Sequence, residues 1–556
     1  MRGRQVLMET LRAHGVDRIF GNPGTTESPL LDSLADYPGI EYIVHLHEGV
    51  AAGAANFYAQ ASGRTAFVNL HVAPGLGNAL GMIYGALKNG SPMVVTAGQQ
   101  DTRARLRDPV LGHDLVAMAA PVTKWSVQAE RADELAPILR RAFKIANDGP
   151  PGPVFVGLPI DVMEQETAIG PQGPGALWRA GPPDPAGLAA IAQLALGASK
   201  PVLVAGDDIA RAGPAAQAAL VSLVERLGAE VWFEGLRGRN AFPTAHAAWR
   251  GTLGFDAPGV ARNLAGADFV LLLGGPFFEE VWYAAGSPLP PGAKVAQIEE
   301  GAPRLAYNFA LDAGVRGGLA ASLAALDAAV AAGQSGTARA AAADRMASLA
   351  ARRAADAETQ RERVKKAWTR SPTSMARALA EVRRGTPSNA IVVDETITAN
   401  LDLFRSFDFA DGGDYFSGRG GGIGQGLAGA LGVAVARPDR PVLCVSGDGS
   451  AMYSIQALWT AAHHGLAIVF VILANREYRV LKHNIDAYRQ RFEIKSNQPY
   501  AHMDLAGPAL GFVELAAGMG VAGTRVSDPD KLAPALAAAF ASGKPHLIEV
   551  EIEGKR

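Results

Sequence analysis

The sequence has 556 residues, which is too long for a single hydrophobic core and predicts three or four domains. It is 48% hydrophobic and 19% charged, a composition that excludes an intrinsically disordered chain. The net charge of −2 excludes the strong positive field of most nucleic-acid-binding proteins. The single cysteine, Cys444, excludes an internal disulfide and fits a reducing compartment. We therefore expect a cytoplasmic protein, without a signal peptide or a membrane-spanning segment.

Short β-branched runs alternate with Ala-rich stretches along most of the chain, which is typical of parallel sheets covered by helices on both faces. In the first third, the runs predict strands at Val16–Phe20, Ile40–Leu46, Ala66–His71, Met93–Ala97 and Val154–Leu158. A Pro/Gly-rich stretch, Ile169–Pro185, then predicts a linker.

The same alternation continues through the rest of the chain. The middle third predicts strands at Pro201–Ala205, Glu230–Phe233, Phe269–Leu273 and Val295–Ile298, and the last third predicts strands at Ala390–Val393, Tyr415–Ser417, Val442–Ser446, Ile468–Leu473 and His546–Ile552. Between them, Ala338–Arg363 is helix-prone and could be a second linker. The sequence thus predicts three consecutive doubly wound α/β domains, at 1–168, 186–335 and 370–556. A glycine-rich similarity between Asn69–Leu80 and Phe416–Leu427 suggests that the outer two share a fold.

The segment Val442–Tyr478 carries the most specific motif. A buried strand ends in Gly447-Asp448-Gly449-Ser450, a helical stripe follows, and a second buried strand ends at Asn475, 27 residues after Asp448. One strand–helix–strand unit takes about 30 residues, so both side chains should emerge at the carboxyl edge of neighbouring parallel strands.

That arrangement suits a magnesium ion bound to a diphosphate. The Asp448 carboxylate, the Asn475 amide oxygen and the backbone carbonyl of Glu477 are oxygen ligands, which Mg²⁺ prefers, and phosphate oxygens would complete the octahedron. Glycines on both sides of Asp448 permit close approach of the diphosphate, and the following helix start favours an anion. Gly-Asp-Gly alone is most often an ordinary turn, but the whole arrangement is far more specific.

The stretch Gly447–Asn475 resembles the diphosphate and Mg²⁺ signature of thiamine diphosphate (ThDP) enzymes. The resemblance covers nearly the whole chain, in the order pyrimidine-binding, middle and diphosphate-binding domain, and is greatest to benzoylformate decarboxylases. The matching stretches are Phe20–Glu27, His45–Glu48, Asn69–His71, Val95–Gln100, Val122–Ser126 and Ser454–Ala462. The resemblance implies ThDP and Mg²⁺ as cofactors. It also implies a homodimer or homotetramer with active sites between subunits.

ThDP chemistry needs a carboxyl group at the N1′ nitrogen of the pyrimidine. The candidate is Glu48, which follows a buried strand and starts a helix of small residues, although a helix-start glutamate could simply complement the dipole. Ile423, among four glycines, matches the family's aliphatic residue that bends the cofactor, or it packs in a core. The residues expected to bind the cofactor are Glu48, Thr398, Ile423, Gly447, Asp448, Gly449, Ser450, Asn475, Glu477 and Tyr478.

Three residues are expected to meet the substrate. His71 matches a substrate-facing histidine of benzoylformate decarboxylase, Thr25 stands in place of a serine, and His113 lies in a loop expected near the same cavity. Departures from the family pattern are expected in the substrate pocket. Val281 replaces a second active-site histidine, whereas Val480 and Asn484 replace a small residue and an aromatic.

A run of cations follows the second strand of the motif. Arg476, Arg479 and Lys482 are either a solvated helix face or a recognition site for a carboxylate or phosphate on a larger substrate.

Four functions are open. The leading one is non-oxidative decarboxylation of a 2-oxo acid to an aldehyde and CO₂. The alternative is a carboligase or lyase resembling acetolactate synthase, benzaldehyde lyase or 2-hydroxyacyl-CoA lyase, since the absence of a histidine at Val281 would favour capture of a second carbonyl. A non-catalytic ThDP-binding protein conflicts with the intact Glu48, Asp448 and Asn475. A nucleotide-dependent dehydrogenase would rest on Ala205–Asp208, which lacks a complete GxGxxG fingerprint.

Overall fold

A computed structural model describes residues 1–175, 177 and 181–554 of the protein. The chain divides into two compact units. The first comprises Met1–Leu177, Ala367–Ser406 and Ser417–Arg556, and the second Trp178–Lys366 and Phe407–Phe416. Residues 176 and 178–180 of the predicted linker lie outside the described part, and the predicted domain boundaries stay predictions. In the described ranges, none of the helices is long and apolar enough to cross a membrane.

The N-terminal sheet has six parallel strands in the order β2-β1-β3-β4-β6-β5. Its strands are β1 (Arg18–Gly21), β2 (Glu41–Val44), β3 (Ala66–Leu70), β4 (Met93–Gln99), β5 (Ser126–Gln128) and β6 (Pro153–Pro159). Every residue of β3, β4 and β6 is buried, as expected for a parallel sheet covered on both faces. The five predicted strands are confirmed, and β5 is an addition at the edge.

The middle sheet also has six parallel strands, in the order β12-β11-β10-β7-β8-β9. Its strands are β7 (Pro201–Ala205), β8 (Glu230–Phe233), β9 (Trp249–Thr252), β10 (Phe269–Leu273), β11 (Lys294–Glu299) and β12 (Ala313–Arg316). The four predicted strands are confirmed, and the two additional ones, β9 and β12, form its edges.

The C-terminal sheet repeats the parallel arrangement in the order β14-β13-β15-β16-β18-β17. Its strands are β13 (Ile391–Glu395), β14 (Tyr415–Ser417), β15 (Val442–Gly447), β16 (Ile468–Ala474), β17 (Ala522–Val526) and β18 (His546–Glu551). With three such sheets, the predicted doubly wound α/β fold is confirmed.

Helices connect the strands. They are α1 (Gly3–Ala13), α2 (Ser28–Ser33), α3 (Glu48–Ser62), α4 (Val72–Asn89), α5 (Leu115–Ala119), α6 (Ala132–Asn147), α7 (Ile160–Glu164), α8 (Pro185–Leu196), α9 (Asp207–Arg211), α10 (Pro214–Leu227), α11 (Ala257–Asn263), α12 (Leu319–Gly333), α13 (Gly336–Lys366), α14 (Met375–Gly385), α15 (Asn400–Ser406), α16 (Gln425–Ala436), α17 (Asp448–Ala451), α18 (Ala457–His463), α19 (Arg479–Arg491), α20 (Phe512–Gly518) and α21 (Leu532–Ala541). The helix-prone tract Ala338–Arg363 lies within α13.

The outer two sheets share one strand order, because adding 12 to each label of the N-terminal sheet gives the order of the C-terminal sheet. The two glycine-rich stretches that suggested this likeness follow strands that are not equivalent, namely β3 and β14. The two outer sheets therefore do share a strand order. The similarity between the two glycine-rich stretches does not arise from it, because the stretches occupy different places in that order.

Helices α3 and α16 of the first unit pack together at small residues. A Cβ atom on Gly432 would lie 1.9 Å from the Ala54 carbonyl oxygen, so only glycine fits there. One helix begins at Glu48 and the other directly after Gly424, so this contact holds two helix starts, one of which carries Glu48 while the other follows Ile423.

Candidate active site

Glu48 is the first residue of α3, at the carboxyl edge of the N-terminal sheet. It is 8% exposed, and its Oε2 accepts a hydrogen bond from Asn78 Nδ2 at 3.0 Å. Gly75 leaves room for the carboxylate, because a Cβ there would lie 3.2 Å from Oε1. The imidazole of His47 caps the helix by accepting from the Gly49 amide at 3.0 Å. Since His47 already caps the helix, Glu48 is available for a second role.

His71 follows β3 and forms a close pair with Glu27, which sequence reasoning did not single out. His71 Nδ1 lies 2.7 Å from Glu27 Oε2, and the Glu27 side chain is 1% exposed. The Glu27 carboxylate also accepts from the backbone amides of Gly24 and Gly98, each at 2.9 Å. A single buried carboxylate therefore connects the loop after β1 with the ends of β3 and β4.

The threonine next to this pair is Thr26 and not Thr25. The Oγ1 atom of Thr26 donates to Glu27 Oε1 at 2.8 Å and lies 3.3 Å from His71 Nδ1, and the residue is buried. Thr25 is exposed, and its carbonyl accepts from Ser28 Oγ at 2.8 Å. Thr26 therefore belongs to the Glu27–His71 group, and the expected contact of Thr25 with the substrate stays a prediction.

His113 lies at a polar cavity of 570 Å³ in the first unit. The cavity is lined also by Gln99 and Gln128, and Gln99 Nε2 donates to the His113 carbonyl at 2.8 Å. Gln99 directly follows Gly98, so the cavity begins one residue beyond the amide that Glu27 binds. His113 itself is exposed.

Asp448 begins α17 immediately after β15, as the motif predicted. The carboxylate is buried and accepts from the Arg476 amide at 2.6 Å and the Gly449 amide at 2.8 Å. Burial raises the pKa of Asp448, the two amides oppose that shift, and the nearby Glu477 carboxylate adds to it. A buried carboxylate with a second one nearby is a favourable place for a cation.

The remaining predicted ligands lie in the turn after β16. Asn475 Oδ1 accepts from the Glu477 amide at 3.0 Å, and the Glu477 carbonyl accepts from the Arg479 amide at 3.0 Å. Tyr478 lies against Gly449, where a Cβ would come within 2.6 Å of the phenol ring.

These residues fit a diphosphate with its ion. The space beside Gly447 is open, since a Cβ there would meet no atom within 4 Å, and the buried Ser450 lies in the first turn of α17. The oxygen donors are one carboxylate, one amide and one backbone carbonyl, which suit a hard cation that keeps phosphate ligands. The described ranges hold no group of three His, Cys, Asp or Glu side chains that could bind a metal by themselves.

The cations after Asn475 bind acidic groups of the protein itself. Arg479 Nε lies 3.1 Å from Glu477 Oε1, and Lys482 also pairs with that carboxylate. Arg476 lies 3.5 Å from Glu551. This arrangement favours a structural role over recognition of an anionic substrate.

The loop with Ile423 is held by another residue that the sequence did not single out as functional, Glu395 at the end of β13. The Glu395 carboxylate accepts from the amides of Gly424 at 2.6 Å and of Gln425 and Gly426 at 2.9 Å each. It thereby satisfies the first amides of α16. Ile423 directly precedes these amides, so Glu395 fixes the backbone beside it.

Burial raises the pKa of Glu395 to about 7, although the three amides oppose the shift. The folded protein therefore retains this proton more strongly than the unfolded chain, and its contribution to stability falls as the pH rises from about 4.5 to about 7. That window corresponds to about 3 kcal/mol at most. Glu395→Gln should flatten this decline, as measured by unfolding midpoints at pH 5, 6 and 7.5. The exposed Glu166→Gln is the control, and equal slopes for Glu395→Gln and wild type would contradict the assignment.

Thr398, Val480 and Asn484 occupy more open positions. Thr398 is exposed in the turn after β13, while Val480 and Asn484 lie half-buried on α19. None of the residues of α19 is buried, so this helix presents a broad surface on the first unit.

In the second unit, Val281 is 54% exposed, and its amide donates to the Phe255 carbonyl at 3.0 Å. The carboxyl edge of the middle sheet is unsuited to a dinucleotide. A Cβ on Gly206 would lie 2.2 Å from the Gly274 carbonyl oxygen, so the two loops close on each other. Asp208 and Glu299 are buried there. Burial is the main cause that raises the pKa of Glu299 to about 8, and the nearby Asp208 carboxylate is the second. Arg211 and Arg304 pair with Asp208 there, so it is the closure of the two loops, and not the charge, that disfavours a pyrophosphate.

Comparison with known protein families agrees with this geometry. The Thiamine pyrophosphate enzyme family matches through its N-terminal TPP binding domain at residues 1–118, its central domain at 188–326 and its C-terminal TPP binding domain at 398–550. Each match falls on one of the three sheets.

Similarity to individual proteins extends over the whole chain. The chain is 34% identical over 561 residues to benzoylformate decarboxylase of Pseudomonas aeruginosa, covering 98% of this chain and 97% of that protein. It is 30% identical over 570 residues to the acetolactate synthase large subunit of Parasynechococcus marenigrum, covering 99% and 87%. The structure of the 4-hydroxybenzoylformate decarboxylase of Rhodococcus jostii RHA1 superposes with a TM-score of 0.86 at 28% identity and complete coverage of both chains. The chain therefore belongs to the thiamine pyrophosphate enzyme family, as a ThDP-dependent carbon–carbon lyase similar to benzoylformate decarboxylase.

Proposed function

We propose that this enzyme is a non-oxidative decarboxylase of a 2-oxo acid, releasing CO₂ and an aldehyde. The observation that carries the proposal is the His71–Glu27 pair, 2.7 Å apart at the edge that also bears Glu48. Release of an aldehyde requires a proton at the former carbonyl carbon, and an imidazole held by a buried carboxylate is suited to supply one. The likeness to two benzoylformate decarboxylases over full length supports the same reaction.

The chain's own residues would bind both cofactors. Asp448, Asn475 and the carbonyl of Glu477 would hold Mg²⁺, and the open backbone at Gly447 would receive the diphosphate. Glu48 would bind the pyrimidine nitrogen, and Ile423 would support the bent conformation. When bound, ThDP supplies an electron sink for the charge left by departing CO₂.

The oligomer belongs to the proposal as well. In this family the pyrimidine half and the diphosphate half of one site belong to different subunits. Exposed apolar side chains follow the carboxyl edges of both outer sheets, at Leu46, Leu106, Ile397, Tyr453 and Leu481. A homodimer or homotetramer would cover such residues, in a cytoplasmic enzyme without nucleic-acid or membrane partners.

A carboligase or lyase is the second candidate, because one observation favours it. Position 281, where the decarboxylase pattern expects a second imidazole, carries an aliphatic side chain that is 54% exposed. With one fewer proton donor, the former carbonyl carbon would stay unprotonated for longer and could bond to a second carbonyl compound instead. Similarity to an acetolactate synthase fits that outcome.

The experiment that separates the two candidates is a product analysis. Enzyme with ThDP and Mg²⁺ is incubated with a panel of aromatic and aliphatic 2-oxo acids, with and without added aldehyde. CO₂, aldehyde and 2-hydroxyketone are then quantified. We expect aldehyde and CO₂ in equal amounts, with an aromatic 2-oxo acid as the best substrate. A predominance of 2-hydroxyketone, or its cleavage, would replace the decarboxylase assignment with the carboligase or lyase.

A further inference from the structure

Glu27 is the most extensively bonded buried carboxylate next to a predicted substrate residue. Each of its two oxygens makes two polar contacts. Oε1 accepts from Thr26 Oγ1 and the Gly98 amide, and Oε2 accepts from the Gly24 amide and lies 2.7 Å from His71 Nδ1. These partners come from three separate segments at the sheet edge, so the carboxylate cannot shift without breaking several bonds at once.

The His71 ring is fixed from a second direction. A Cβ on Gly24 would lie 2.3 Å from His71 Cγ and Nδ1 and 2.5 Å from Cδ2, so the ring lies directly on the glycine. The histidine side chain is 23% exposed. With Nδ1 bound by Glu27 and the ring packed on Gly24, the Nε2 edge is the part left for a ligand.

We infer that Glu27 is a positioning residue that holds His71 with Nδ1–H as the donor, so that Nε2 is the nitrogen presented to the substrate. A charged carboxylate accepts all four contacts, whereas the opposite tautomer would set a bare Nδ1 lone pair against Glu27 Oε2. This inference rests on the proposed decarboxylase function for the identity of the proton acceptor. The proton that reaches the former carbonyl carbon would leave from Nε2 of the doubly protonated ring, which returns to the Nδ1–H form once that proton has gone.

Kinetics of a double-mutant cycle test the coupling. Glu27→Gln and His71→Gln should each lower kcat by about 10²-fold with KM changed less than threefold, and the double variant should be no worse than either single variant. Thr26→Val, which keeps both the carboxylate and the imidazole, should lose less than tenfold. The exchange rate of the C2 proton of bound ThDP should stay within threefold of wild type in all variants, because Glu48 is untouched. The inference would be overturned if the double variant lost kcat by the product of the two single losses. It would also be overturned if C2-proton exchange slowed as much as kcat.

A second measurement does not depend on catalysis. It tests the inference even if Glu27→Gln misfolds or the decarboxylase proposal is wrong. Nitrogen-15 NMR of wild-type protein labelled at histidine, without cofactor, should show the neutral His71 ring protonated at Nδ1. The resonance is assigned by its loss in His71→Gln. Protonation at Nε2 would overturn the inference whatever reaction the enzyme catalyses. If the product analysis contradicted the decarboxylase proposal while the NMR showed protonation at Nδ1, Glu27 would still position His71, but for a different substrate. Should Glu27→Gln not fold, Glu27→Asp shortens the reach to His71 and is expected to give the same kinetic pattern.

Discussion

Replacing Glu48 with Gln should leave the protein folded and slow the exchange of the C2 proton of bound ThDP by about 10²–10⁴-fold. The carboxylate is buried at the start of α3, with one oxygen bound to Asn78 and the other facing Gly75. Gln keeps the size of the side chain and can still accept from Asn78, but it cannot carry a proton to or from the pyrimidine. Exchange is measured by proton NMR after acid quench in deuterated buffer.

Two controls make this result specific to Glu48. Glu41→Gln changes a carboxylate on the neighbouring strand β2 that is 51% exposed, and it should exchange at the wild-type rate. Calorimetric affinity of Glu48→Gln for ThDP should fall by less than tenfold, since the diphosphate half is unchanged. Wild-type exchange in Glu48→Gln would remove this residue from the mechanism.

Asp448→Asn should abolish the dependence of ThDP binding on Mg²⁺ and weaken that binding by at least about 10²-fold. The carboxylate supplies the one charged ligand of the predicted ion site, and an amide binds divalent cations far more weakly. Titration calorimetry with ThDP, in the presence of Mg²⁺ or of EDTA, measures the effect. Removal of the ion should weaken binding to wild type and have little effect on the variant.

The same substitution should not destabilise the protein without cofactor. Because burial raises the pKa of Asp448, its contribution to folding stability falls as the pH rises above 3.8, and ionisation of the buried carboxyl lowers stability. Asn removes that charge, so we expect an unfolding midpoint equal to or above that of the wild type. Asp439→Asn, on the surface of the same sheet domain, is the matched control for binding. A large drop in the midpoint of Asp448→Asn would indicate a structural role instead.

Sequence patterns predicted every interior strand of the three sheets but only two of the six edge strands, β2 and β14. The four strands that were not predicted, β5, β9, β12 and β17, all lie at an edge and pair with one neighbour only. They contain exposed or half-buried residues, so they lack the continuous apolar run that identifies a strand buried on both faces. Their positions are determined by tertiary pairing and not by local composition.

The site was predictable where chemistry and chain spacing coincide. Asp448 and Asn475 follow adjacent strands, as the 27-residue interval required. Glu27 was not recognised, because its partner His71 is 44 residues away in sequence. Glu395 was not recognised, because it acts through bonds to the backbone amides of a distant segment. A carboxylate whose partners are amides leaves no signature in residue identity.

The packing of α16 against α3 has a consequence for attempts to stabilise this enzyme. Gly432 lies inside a helix, where alanine would ordinarily add about 1 kcal/mol of helical preference. Here the added methyl group would meet the Ala54 carbonyl at 1.9 Å and push the two helices apart. Engineering by helix propensity alone would therefore select a harmful change, whose cost would appear both as a lower melting temperature and as displaced starts of α3 and α16.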